Sequence, residues 1–333
     1  MMWKRSIALF VALAILAVSG GTALAAEKAW KLAHIRPEGT AIDVALKKFA
    51  ATVLEKSNGK IKIDIYPASQ LGDYTTVQER VSIGDVEMQC APMSTSVVRE
   101  MGITGFPYLV RNWAEATKVF APDSAMVRIV NDYMKQQDLH VIGTWPMYFG
   151  GILLTKEPPA PKDPYANQGL KIRIPPIITY EAMAEGVGYQ ATPLPWADTF
   201  TALQTGIVDG VIGGGAEGYL ASFRDLAKYF LAVNDHFECW YFYINTDLWK
   251  KLPEADRKVL SDAATEMCLE RWKVAEQDEI DNMKKMEDLG VKVIRYTDEE
   301  LAKFREKIMK EGWPKLFKEV PEKDVRESIS VIQ

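Results

Sequence analysis

The feature that most constrains the fold is a repeated change of period along the chain. Residues 40–57 (TAIDVALKKFAATVLEKS) carry apolar side chains at helical spacing, open on a threonine suited to an N-cap and stop at Asn58-Gly59. Residues 60–67 (KIKIDIYP) then alternate strictly, the pattern of a half-buried strand. AWKLAHI (29–35) is a strand candidate before this helix, DYTTVQERVSIGD (73–85) a short helix and VEMQCAP (86–92) a third strand. Strands separated by helices imply crossover connections, and so a mostly parallel sheet with helices on both faces.

A second series begins near HVIGTWPMYFGGILLTK (140–156). The Pro-rich, polar stretch KEPPAPKDPYANQG (156–169) is a surface loop. It leads to KIRIP (171–175), the helix candidate TYEAMAEGVG (179–188), and DTFTALQTGIVDGVIG (198–213), read as a helix running into a strand. Two such series with a crossing between them predict an α/β protein of two lobes. Residues 254–289 are helical in pattern, heavily charged and long enough to span both lobes. VKVIRY (291–296) is a last strand, and 297–320 read as helical. The expected division is 26–150 with about 239–275 as lobe I, and 151–238 with about 276–333 as lobe II.

The first 25 residues join a basic start (Lys4, Arg5) to an apolar run from Ile7 to Val18 and a small-x-small site at Ala23-Leu24-Ala25. That is the pattern of a secretory signal peptide, with cleavage expected near Ala25, and it places the mature protein in the periplasm. The formal net charge is −5, and removal of Lys4 and Arg5 makes the balance more negative. An acidic chain is a poor partner for nucleic acid or anionic membrane. Its hydrophobic fraction of 48% is ample for buried cores. The cysteines Cys90, Cys239 and Cys268 match no metal or redox spacing and are expected as buried thiols, although one pair could be bridged in an oxidising compartment.

No hydrolase nucleophile motif is present, and His34, His140 and His236 lie far apart in sequence. The one feature that suggests an enzyme is GGGAEG, which sets Gly213, Gly215 and Gly218 in a GxGxxG frame with Asp235 beyond it. An exported nucleotide-dependent oxidoreductase would need this to be a phosphate loop. The structural alternative is a loop where backbone passes close to a ligand or the other lobe. Arg173 carries more information. It stands two residues before Pro175-Pro176, which mark the carboxyl end of a strand. Ligands of open α/β sheets bind outside such ends, and a guanidinium there offers a rigid two-donor fork to an anion.

GKIKIDIYPASQLGD, GLKIRIPP, PLPWADTFTALQTGIVDG and FRDLAKYF together resemble the periplasmic solute-binding proteins of TRAP transporters, the DctP family, over essentially the whole mature chain. The resemblance implies the two-lobed periplasmic binding protein fold, a ligand cleft between the lobes and a long lobe-spanning helix. It implies that Arg173, in the G-L-K-x-R position, clamps the ligand's carboxylate, that Trp196 stacks on the ligand, and that Gln204, Asp209 and Gly210 lead into the cleft. Two family positions depart from the pattern: Gly151 stands where many relatives carry a second arginine, and Gly213 where many carry an asparagine. Arg36, Ser94 or Met93, Tyr148, Glu217, Trp240 and Tyr241 are the candidates to refill the cleft. The implied function is binding without covalent chemistry or cofactor: capture of a small organic anion by a monomer that delivers it to the TRAP membrane permease. With the second arginine missing, a hydroxyalkyl sulfonate such as isethionate, or a hydroxy or oxo monocarboxylate, is expected ahead of a C4-dicarboxylate. A sensor feeding a signalling receptor would use the same fold.

Overall fold

Strand direction explains most of the architecture. The computed structural model describes residues 29–333, so the signal-peptide reading of 1–25 lies outside the described residues. The strands are β1 (Trp30–Ala33), β2 (Ile63–Tyr66), β3 (Met88–Ala91), β4 (Leu139–Phe149), β5 (Gly151–Leu154), β6 (Lys171–Ile174), β7 (Gln190–Pro193), β8 (Gly210–Gly214), β9 (Tyr229–Leu231), β10 (Phe237–Asn245) and β11 (Lys292–Ile294). They form a five-stranded sheet in the order β2-β1-β3-β10-β4 and a six-stranded sheet in the order β11-β9-β5-β8-β6-β7.

Neither sheet is as parallel as the strand–helix rhythm suggests. β10 runs antiparallel to both β3 and β4, and β5 antiparallel to both β8 and β9. β5 and β10 are the strands that follow a passage from one sheet to the other. The remaining pairings, β1 with β2 and β3, β6 with β7 and β8, and β9 with β11, are parallel. Strands linked by helices carry their carboxyl ends toward the gap between the sheets. A strand arriving across that gap enters from the same side and must run the other way.

The two passages meet. Gly150 separates β4 from β5, and residues 232–236 separate β9 from β10. The Gly150 amide donates to the His236 carbonyl at 2.8 Å. A Cβ on Gly150 would lie 2.1 Å from His236 Cε1, so only glycine fits there. The helix Glu254–Asp288 is continuous over 35 residues, about 50 Å at 1.5 Å per residue. It lies along β4 and touches the helices Ala41–Lys56 and Ala216–Phe223, one beside each sheet. Arg271 fastens it through Nε to the Pro146 carbonyl (2.9 Å), and Glu279 accepts from the Phe149 amide at 2.9 Å. Both anchors sit on the last residues of β4 before the passage.

Helix Glu322–Ser328 packs on helix Ala125–Lys135, which packs on β4 of the first sheet. Tyr133 donates to Asp324, and Arg128 pairs with Glu327 at 3.4 Å. These contacts hold the last turn of the chain against helix Ala125–Lys135. Cys90, Cys239 and Cys268 are all buried free thiols.

Candidate ligand-binding site

The carboxyl ends of β1, β3, β4, β6, β7 and β8 converge on one small cavity between the sheets, lined by side chains from both. Arg36 follows β1 and Tyr148 lies on β4. Arg173 is the penultimate residue of β6, Trp196 follows β7, and Glu238 and Trp240 lie near the start of β10.

Arg173 is 1% exposed. Its Nε donates to the Leu194 carbonyl at 2.8 Å and its Nη1 lies 3.4 Å from the Ile212 carbonyl. β6 lies between β7 and β8, and these carbonyls belong to the residue just after β7 and to the middle of β8, so the sheet itself aims the fork. Among the described residues Nη2 has no acceptor, and no carboxylate lies within 4.0 Å of the guanidinium. Burial pulls the Arg173 pKa below its ordinary value, partly offset by the hydroxyls of Tyr74 and Tyr219. The group stays cationic all the same, because arginine does not deprotonate in proteins.

Arg36 is equally buried but compensated. Its Nε donates to Glu217 at 3.0 Å and its Nη2 to the Tyr148 hydroxyl at 2.9 Å. Burial alone would lower its pKa, but Tyr148 and Glu217 outweigh burial and hold it above the ordinary value. The Trp196 ring lies between the two cations: Arg36 Cζ is 4.7 Å and Arg173 Cζ 5.5 Å from its centroid. Arg36 also lies 5.0 Å from the Trp240 ring. Aromatic faces attract guanidinium groups and keep water from them.

Two more donors are left without partners. The Tyr74 hydroxyl and the Trp240 indole N–H are buried and make no hydrogen bond among the described residues. A buried polar group left unpaired costs about 1–3 kcal/mol. An acceptor-rich molecule in the cavity would satisfy Arg173, Tyr74 and Trp240 together.

Behind the cavity sits a charged group of three. His236, 2% exposed, has Nδ1 3.2 Å from Asp235 Oδ2 and Nε2 3.2 Å from Glu238 Oε2. Neither approach lies on the hydrogen-bonding axis of the ring, so the attraction is chiefly coulombic. Burial would lower the His236 pKa, but the two carboxylates outweigh it and push it up to about 10. Glu238 Oε2 also accepts from the Tyr180 hydroxyl at 3.0 Å.

Of the residues singled out from sequence, Arg173, Trp196, Arg36, Tyr148 and Trp240 line the cavity. Glu217 stands behind Arg36 as its counter-ion. Ser94 is not brought to the cavity: its amide donates to Gln78 and its hydroxyl pairs with Ser96, so it serves the turn after β3, and Pro92 is the wall residue there. Met93 and Tyr241 are buried in the cores. Asp209 accepts from the Lys171 amide and pairs with Lys156, away from the cavity.

The glycines have packing reasons. A Cβ on Gly151 would lie 2.5 Å from the Leu231 carbonyl oxygen, so a side chain at that position has no room beside β9. Gly213 has φ +89°, and its Cβ would lie 2.5 Å from Pro175 Cγ. On Gly215 it would meet the Tyr148 ring at 2.4 Å, and on Gly218 the Arg36 Nη2 at 2.4 Å. The GGGAEG run is where the second lobe closes on Arg36 and Tyr148. Sequence reading missed Tyr74, Tyr180 and Glu238. Glu238 had a signal, being the single acid in FECWYFYIN, a strand buried at every position.

Residues 32–319 match the family model for bacterial extracellular solute-binding proteins, family 7 (DctP). The chain belongs to this family. Its relatives include the sialic acid-binding periplasmic protein SiaP of Vibrio cholerae, 25% identical over 305 residues, covering 89% of this chain and 91% of that protein. The fold matches the sugar acid binding protein DctPAm of Advenella mimigardefordensis in complex with galactonate, with a TM-score of 0.83 at 22% identity over 91% of this chain and 97% of that one. It also matches a TRAP periplasmic solute-binding protein of Polaromonas bound to D-erythronate, with a TM-score of 0.82 at 24% identity over 92% and 100% of the two chains. At these identities the two structures speak for the two-lobed fold alone. Family and structural neighbours are ligand-binding transport proteins rather than enzymes.

Proposed function

We propose that the protein is the periplasmic solute-binding subunit of a TRAP transporter and captures a small organic acid bearing one anionic headgroup. The observation that carries this reading is Arg173, a buried cation with no carboxylate within ion-pair distance among the described residues. A charge removed from water without a partner is costly, and a carboxylate or sulfonate on the fork supplies that partner bidentately. Tyr74 and Trp240 add donors to the same headgroup. Arg36, the second guanidinium, is already neutralised by Glu217. A C4-dicarboxylate is therefore the second choice, behind a hydroxy or oxo monocarboxylate or a hydroxyalkyl sulfonate such as isethionate. The cavity is narrow, which favours a compact ligand.

In this reading residues 1–25 direct export and are removed near Ala25. The lobes close on the ligand about the passages at Gly150 and 232–236, and the closed monomer delivers it to the membrane permease. A thermal-shift screen tests it, with C2–C6 hydroxy, oxo and dicarboxylic acids, sugar acids and short sulfonates. A ligand at about a hundred times its Kd stabilises by about 2.7 kcal/mol. A shift confined to small monoanions supports the reading, and one confined to dianions contradicts it.

A further inference from the structure

The unmet hydrogen bonds of the cavity form a negative image of its ligand, and one of them has the opposite sign to the rest. Arg173 Nη2, Tyr74 and Trp240 offer donors. Glu238 offers an acceptor. Its Oε2 is engaged by the Tyr180 hydroxyl at 3.0 Å and faces His236 at 3.2 Å. Its Oε1 has no donor among the described residues, although Glu238 is 5% exposed and lines the cavity. A carboxylate in an anion site is unexpected, because it repels what the site collects. The resolution is chemical: a ligand that carries a donor beside its headgroup gives Oε1 its missing hydrogen, whereas one that carries a second anion faces like-charge repulsion at close range.

We infer that Glu238 selects ligands with a hydrogen-bond donor, a hydroxyl or an ammonium, next to the anionic headgroup, and rejects those with a second carboxylate at that end. The inference rests on the small-anion reading above and names its ligand class. His236 and Tyr180 hold the carboxylate in place from behind, and Arg36 and Tyr148 lie close enough to feel its charge.

Calorimetric titration with two matched series tests this. The three-carbon series is glycerate, propionate, β-alanine and malonate. The two-carbon sulfonate series is isethionate, ethanesulfonate, taurine and sulfoacetate. In whichever series binds, the hydroxylated or the amino member is expected to bind at least tenfold more tightly than the donor-free and dianionic members. Glycerate against β-alanine, or isethionate against taurine, tells a hydroxyl from an ammonium. In Glu238→Gln, checked for an intact melting transition, the dianion should gain at least tenfold. An ammonium ligand should lose as much, while a hydroxyl ligand, still met by an amide oxygen, should lose little. Donor-free and dianionic members that bind the wild type as well as the donor-bearing ones overturn the inference and leave the anion site standing. So does a Glu238→Gln protein with an unchanged ranking. Absence of binding by both series, or full binding by Arg173→Ala, overturns the anion site itself.

Discussion

A guanidinium that is 1% exposed and has no carboxylate partner among the described residues has given up most of its hydration without an equivalent return. Such a group is costly to the free protein, on the order of several kcal/mol before its carbonyl contacts are counted. Its retention makes sense as a binding device that trades stability for affinity. The neighbouring Arg36 shows the contrast, with Glu217, Tyr148 and two indole rings around it. Its position depends on an empty space, since a Cβ on Gly218 would lie 2.4 Å from Nη2. Gly218→Ala should therefore displace Arg36 from Glu217, lower stability by about 1–3 kcal/mol through overpacking and weaken ligand binding at least tenfold. Melting curves and titration of the same variant check both effects, and a variant that binds like wild type would show that Arg36 is not held by this contact.

At the scale of elements, the passages between the sheets concentrate charge. His236 sits between two carboxylates where the two passages touch, and its pKa of about 10 in the folded protein lies above the ordinary 6.5. The sign follows from linkage: the stabilisation is complete below about pH 6.5 and is lost as pH rises through about 10. The Tm of the wild type should fall between pH 7 and pH 10, and the fall should be shallower in His236→Gln. Equal slopes in the two proteins would mean that the imidazolium is not stabilised there. Much at this scale was legible in the sequence. Period-two alternation in KIKIDIYP and KIRIP and helical spacing in 254–289 correspond to β2, β6 and the 35-residue helix. Strand direction was not legible, because periodicity reports which faces are buried and not which way a strand runs. β5 and β10 owe their antiparallel setting to the side from which the chain enters each sheet. Within the site, Arg173 and Trp196 could be found from motifs. Tyr74 and Tyr180 could not, since each lies in the first turn of a helix whose place at the cavity is decided by tertiary contacts. Ser94 misled because its position just after a strand is shared by cleft residues and by ordinary turn residues.

At the scale of the whole molecule, polar contacts among the described residues join the lobes across the cleft. Arg36 follows β1 of the first sheet and meets Glu217 beyond β8 of the second. Tyr180, on the helix after β6, meets Glu238 on β10. Both contacts require the lobes to be closed, so they act as latches on the closed state. Removing one charge-assisted latch should cost roughly 1.5–3 kcal/mol of closure, or at least tenfold in apparent affinity. Glu217→Gln should thus weaken binding of the small monoanion and, by freeing the Arg36 charge, narrow its preference over a dianion. Solution scattering should find the ligand-free variant more extended than the ligand-saturated wild type, and indistinguishable profiles would argue against latching. All of this depends on Arg173 being the ligand's anchor. The most direct measurement is therefore a side-by-side melt of wild type and Arg173→Met, with and without the tightest ligand from the screen. Expected is a ligand-free variant that melts at or above the wild-type temperature and shows no shift on adding ligand. A variant that gains the same ligand-induced shift as the wild type would contradict the assignment of Arg173 as the anchor.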